Sequence, residues 1–115
     1  YNLPMDIRSH LPEKNRAAHA RDDIERVTEI WRDCRARFGG KGANGPGGFL
    51  FGGFCIADAM FAPVTTRFRT YGITLDPVST AYVEAVTAQP AMREWSAAAA
   101  TEPWVLTYAV FKTSP

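Results

Sequence analysis

Histidine and cysteine are the scarcest of the chemically versatile residues in this chain, two of each. His10 and His19 lie nine apart with no carboxylate or cysteine at ligand spacing, and Cys34 and Cys55 form no Cys-x-x-Cys pair, so neither a zinc site nor a disulfide framework is suggested. The surface is the expected place for both histidines, and a reducing, cytoplasmic setting is the expected compartment. Long apolar runs are also missing: the longest, 49–64, is broken by Gly52, Gly53 and Asp58 and falls short of the ~20 residues that cross a bilayer. Neither charge is in excess. Thirteen Lys and Arg against twelve Asp and Glu leave a formal net charge of +1, which gives no mandate for nucleic acid or a membrane surface. No alternating strand pattern or internal repeat is present, apart from a short extended piece allowed in the tail. The first residues lack the charged start, apolar centre and small-residue cleavage site of a secretory signal, and the opening Tyr1 suggests a piece of a longer protein.

What is present is helical periodicity in a chain of 115 residues, the size of one domain with a real core. Residues 1–20 contain Pro4 and Pro12 and are expected to form a helical turn and a loop. From 21 to 38, Ile24, Val27, Trp31, Cys34 and Phe38 recur every three or four places and predict an amphipathic helix ended by Gly39-Gly40. Asp22 with Arg26, and Asp33 with Arg37, stand four apart on its polar face, worth ~0.2 to 0.5 kcal/mol each. A central helix over 56–71 is apolar on nearly every side and is expected to be enclosed, with Pro63 bending it. Asp76-Pro77 opens a third helix that should bury Val78, Tyr82, Ala85 and Val86 and stop near Gln89. Pro90 opens a fourth through Met92, Trp95 and Ala99, ended by Glu102-Pro103. The tail, 104–115, is apolar enough to pack on something. The division is thus 1–20, a helical domain over 21–103, and the tail.

Few residues point to chemistry. Gly40, Gly42 and Gly45 fit G-x-G-x-x-G, but a helix precedes them and loop follows, the wrong context for a dinucleotide site, and the match is read as chance. Asp58 falls at the third position of the central helix, where a carboxylate accepts from the capping residue's backbone N–H; capping is its first reading and a catalytic acid the second. Cys55 occupies the cap itself, where a thiol is a poor acceptor; a redox-sensing Cys55 is the alternative. Cys34 reads as a small core residue. Trp31, Trp95, Phe61 and Phe68 fall at helical spacing and read as core, and Arg67 and Arg69 as solvated or ion-paired. Trp104 and Tyr108, on the tail, are the remaining candidates for a substrate pocket.

The run Phe51-Gly52, Cys55-Ile56-Ala57-Asp58, Ala62-Pro63 and Arg67-Phe68 resembles the signature of the glutathione S-transferase C-terminal domain, with Cys55 where that family has Ser or Thr. Ile7-Arg8-Ser9-His10-Leu11-Pro12, Asn15-Arg16-Ala17, Trp31-Arg32-Asp33-Cys34-Arg35-Ala36-Arg37-Phe38 and Pro90-Ala91-Met92-Arg93-Glu94-Trp95 extend the resemblance to bacterial-type members over 7–104. It implies an all-α bundle of four to five helices around a buried central helix, residues 1–20 being the remnant of a first helix. It further implies a thioredoxin-like N-terminal domain, absent here, that would hold glutathione as co-substrate and supply the thiol-activating residue. No catalytic residue can be assigned in this chain; the helical half would provide the electrophile pocket wall, with dimerisation expected. The alternative implied by the same fold is a non-catalytic interaction module within a larger assembly.

Overall fold

The computed structural model describes residues 3–12, 18–39 and 48–104. Four helices follow one another: α1, Arg21–Phe38; α2, Ile56–Thr70; α3, Pro77–Thr87; and α4, Pro90–Thr101. Among the described residues the only extended pairing is an isolated antiparallel bridge between Phe49 and Gly52, and the fold is all-helical. The boundaries follow from local chemistry. Asp22 and Asp23 in the first turn of α1, with Arg35 and Arg37 in the last, complement the helix dipole. Pro77 and Pro90 open α3 and α4, where the missing N–H costs nothing. Pro63 lies inside α2 without ending it.

The C-terminus of α2 reverses in a six-to-one turn. Ile73 N–H donates to the Phe68 carbonyl (3.0 Å) and Gly72 N–H to the Arg69 carbonyl (3.2 Å), with Gly72 at φ +58°, a left-handed conformation that costs glycine least. Residues 72–75 then return across Phe68 to the start of α3, with Ile73 packed on the same apolar cluster.

Trp31 is the pivot of the core. It is fully buried, with ring centroids 4.7 Å from Tyr82, 5.4 Å from Phe68 and 5.6 Å from Phe61, so one side chain of α1 touches both α2 and α3. A second cluster joins Leu3, Ala20 and Tyr71. Residues 3–12 are strapped along the C-terminal half of α2. The Arg67 Nε–H donates to Leu3 O (3.1 Å), the Tyr71 hydroxyl to Pro4 O (2.6 Å), the Thr70 hydroxyl to Asp6 O (2.6 Å), and Leu11 N–H to Thr70 O.

Four expectations change. The enclosed helix was to be the one beginning at Ile56, yet α2 buries only one side: Ile56 is 82% and Met60 74% exposed, whereas Asp58, Ala62, Thr65 and Phe68 are buried. The helix that joins the others is α3, which packs against α1, α2 and α4 and buries Ser79, Tyr82, Val83 and Val86. Val78, at the outer edge of that helix, is exposed instead of buried. Trp95 is likewise 42% exposed, because α4 reaches the bundle through Met92 against α3 alone. The Asp33–Arg37 pair forms at 3.4 Å, but Arg26 turns to Glu29 (3.1 Å) rather than to Asp22.

Candidate functional site

The residues that precede α2 are anchored before the helix begins. Arg35 of α1 donates to the Phe49 carbonyl at 2.7 Å, and Gly48 lies so close to α3 that a Cβ there would meet the Ala85 Cβ at 2.7 Å. This places Leu50, fully buried, against the first turn of α2.

Asp58, the third residue of α2, is fully buried and its carboxylate accepts from three directions. Oδ2 takes the Cys55 N–H at 2.9 Å, the bond expected of a capping carboxylate. Oδ1 takes the Tyr82 hydroxyl of α3 at 2.8 Å and the Leu50 N–H at 3.3 Å. Burial first, then the hydrogen bond to Asp58 and its negative charge, push the Tyr82 phenol far above its usual range, which keeps the hydroxyl a donor. Sequence reading reached the first of these bonds and missed the other two. Tyr82 was placed on the apolar face of its helix, and its hydroxyl was the unused sign that a buried acceptor must face it.

The reciprocal half of the capping box, from the Asp58 N–H towards the Cys55 sulfur, is present only loosely; the well-formed bond of that N–H goes to the Cys55 carbonyl at 3.0 Å. Cys34 is half-buried; burial, and then Asp33, push its thiol up against a smaller opposing pull from Arg37, which makes it a poor nucleophile. Both cysteines are unpaired, and among the described residues no group of three or more His, Cys, Asp or Glu could hold a metal ion. No described helix is long and apolar enough to cross a membrane.

Of the two pocket candidates on the tail, Tyr108 lies outside the described residues. Trp104 is 75% exposed, and the start of the tail is clamped by Arg8, whose guanidinium donates to the carbonyls of Glu102 and Trp104, both at 2.8 Å. That clamp links positions 94 and 96 apart in sequence, and no local pattern announces it. Trp104 therefore presents its ring to solvent from a fixed backbone, apart from Asp58.

Two cavities adjoin the C-terminal end of α2 and share Arg69. The larger, about 590 Å³, lies between the end of α2, residues 72–75, α3 and the start of α4. The smaller, about 300 Å³, is lined by Ile7, Ser9, His10 and Ser96, and shares Arg69 and Thr87 with the first. His10 and His19 are exposed as expected, and His10 Nδ1 lies 3.3 Å from the Arg69 carbonyl. Asp58 lines neither cavity.

No family model matches the chain, and no curated protein or solved structure matches it.

Proposed function

We propose that this chain is the helical lobe of a glutathione S-transferase-like protein, supplying scaffold and pocket wall while a thioredoxin-like lobe activates the thiol of glutathione. The observation that carries the reading is Asp58. The one fully buried acid described has all its contacts directed at folding: a helix cap, a loop N–H and a neighbouring helix's hydroxyl. A carboxylate so engaged, with neither of the two cavities beside it, is a structural residue, and the sequence around it is the part most similar to that family. The exposed Ile56 and Met60 on the outer side of α2 supply an apolar surface of the kind a second lobe covers. The same ridge supports the second reading, a non-catalytic interaction module that docks in a larger assembly.

The two readings separate on the source polypeptide. Its intact mass, and its ability to conjugate glutathione to chlorodinitrobenzene, are expected to reveal an additional thioredoxin-like segment and transferase activity through thiolate attack on the electrophile. The isolated 115 residues are expected to show neither conjugation nor retention on immobilised glutathione. Retention by this segment alone would place the glutathione site in the helical lobe and overturn its assignment to the thioredoxin-like one; a full-length polypeptide without activity would favour the module.

A further inference from the structure

We propose that the larger cavity is a binding site for a small amphipathic carboxylate, a monoanion with a flat or short apolar body. The proposal is independent of the glutathione S-transferase reading. It rests on the chemistry that the reversal at Gly72 assembles. Because the chain turns back there, Ile73 and Leu75 come to lie beside Phe68 and Val83, giving a floor of four apolar side chains. At the edge stand three charged residues, Arg69 from the last turn of α2, Glu84 from α3 and Arg93 from the first turn of α4.

Among the described residues neither guanidinium has a hydrogen-bond or ion-pair partner, in contrast to Arg8, Arg32 and Arg67, which are all engaged. Two positive groups against one carboxylate leave a single net positive charge over an apolar floor. That balance selects a monoanion over a neutral molecule, and disfavours a multiply charged phosphate, which would face Glu84. Thr80 and Thr87 add hydroxyls to the wall, and a volume of about 590 Å³ lies within the range of small-molecule sites. Arg69 also borders the smaller cavity beside His10, so the headgroup is assigned to the junction of the two, with the apolar body on Phe68 and Val83.

The test is titration of the full chain with naphthoate, followed residue by residue by amide NMR, with neutral naphthamide as the matched control. Naphthoate is expected to give saturable shifts concentrated at 72–75, Thr87 and Arg93, and to bind about tenfold more tightly than naphthamide, the gain of one charge-assisted pairing. In the Arg69→Gln/Arg93→Gln double variant that preference should vanish while naphthamide binding stays as it was. Both side chains are exposed, and the charged-against-neutral comparison on the unaltered chain decides the matter even if the variant folds poorly. Equal affinities for the two probes, no saturable shift, or shifts centred on Ile56 and Met60 would overturn the proposal.

Discussion

Two aspartates open helices in this protein, and they do so in opposite surroundings. Asp76 caps α3 near the surface: its carboxylate accepts from Ser79 N–H (2.9 Å), the Ser79 hydroxyl (2.7 Å) and Arg32 of α1 (2.8 Å), and remains partly open to water. Asp58 caps α2 in full burial and binds Tyr82 of α3 and the Leu50 backbone as well as its own cap. The first is a local device with one electrostatic link. The second is a joint through which a loop and two helices are tied together, and water cannot replace its buried bonds to Tyr82 and Leu50. One residue type with one local role thus has consequences set by depth.

The widest test of that contrast is to delete each acid. Asp58→Ala leaves three donors without an acceptor, the Leu50 N–H and the Tyr82 hydroxyl in full burial at ~1 to 3 kcal/mol each and the Cys55 N–H in part, and should cost about 3 to 5 kcal/mol in a urea unfolding curve, or prevent folding. That exceeds the ~1 to 2 kcal/mol which a cap and its charge–dipole interaction alone would cost. A loss no greater than that of Asp76→Ala would break the comparison. Next in size is Tyr82→Phe, which removes one donor from Oδ1 and keeps the ring against Trp31; about 1 to 2 kcal/mol is expected. If Tyr82→Phe is additive with Asp58→Ala, rather than nearly silent in its presence, the two side chains are not coupled as the geometry requires.

Asp58 and Asp76 were both legible as caps, because capping depends on residues three or four apart, and Pro77, Pro90 and Gly39 marked helix limits for the same local reason. Depth was not legible. An apolar residue in a helix that is apolar on most sides looks the same whether it meets the core, like Phe68, or water, like Ile56 and Met60; only the placement of α3 decides between them. Tyr82 and Arg8 escaped for a related reason, since their partners stand 24 and more than 90 positions away. The cavity at Gly72 was hidden too. Its walls come from three helices and a connection, and Arg69 was visible in the sequence only as a charge that follows an apolar stretch.

Asp76 sharpens the comparison through pH. Burial alone would raise its carboxyl, but the Ser79 N–H, the Ser79 hydroxyl and Arg32 outweigh that and hold it at about 2, below the ordinary carboxylate value. A group whose acidity is increased by folding stabilises the native state above its unfolded pKa, and that contribution disappears as pH falls through the folded one. The unfolding free energies of the native chain and of Asp76→Ala should therefore differ by about 1 kcal/mol at neutral pH, mostly through the cap, since an exposed pair with Arg32 adds little. The gap should narrow as pH drops from about 4 towards 2. A gap that is constant over this interval would mean that the ionised form is not what binds Ser79.

The smallest effect concerns the residue that Asp58 caps against. Cys55 has the extended backbone of a cap residue, φ −142° and ψ −176°, and its own N–H is well bonded, but sulfur is the weak half of the exchange. A hydroxyl at the same position accepts from the Asp58 N–H at shorter range and with better directionality. Cys55→Ser is accordingly expected to raise stability by ~0.5 to 1 kcal/mol, read as a higher urea midpoint with an unchanged slope. The donor is the backbone N–H of residue 58, so the gain should persist in the Asp58→Asn background. A midpoint that falls, or does not move, would show that the half-buried thiol is held for its packing, and that α2 is capped from the aspartate side alone.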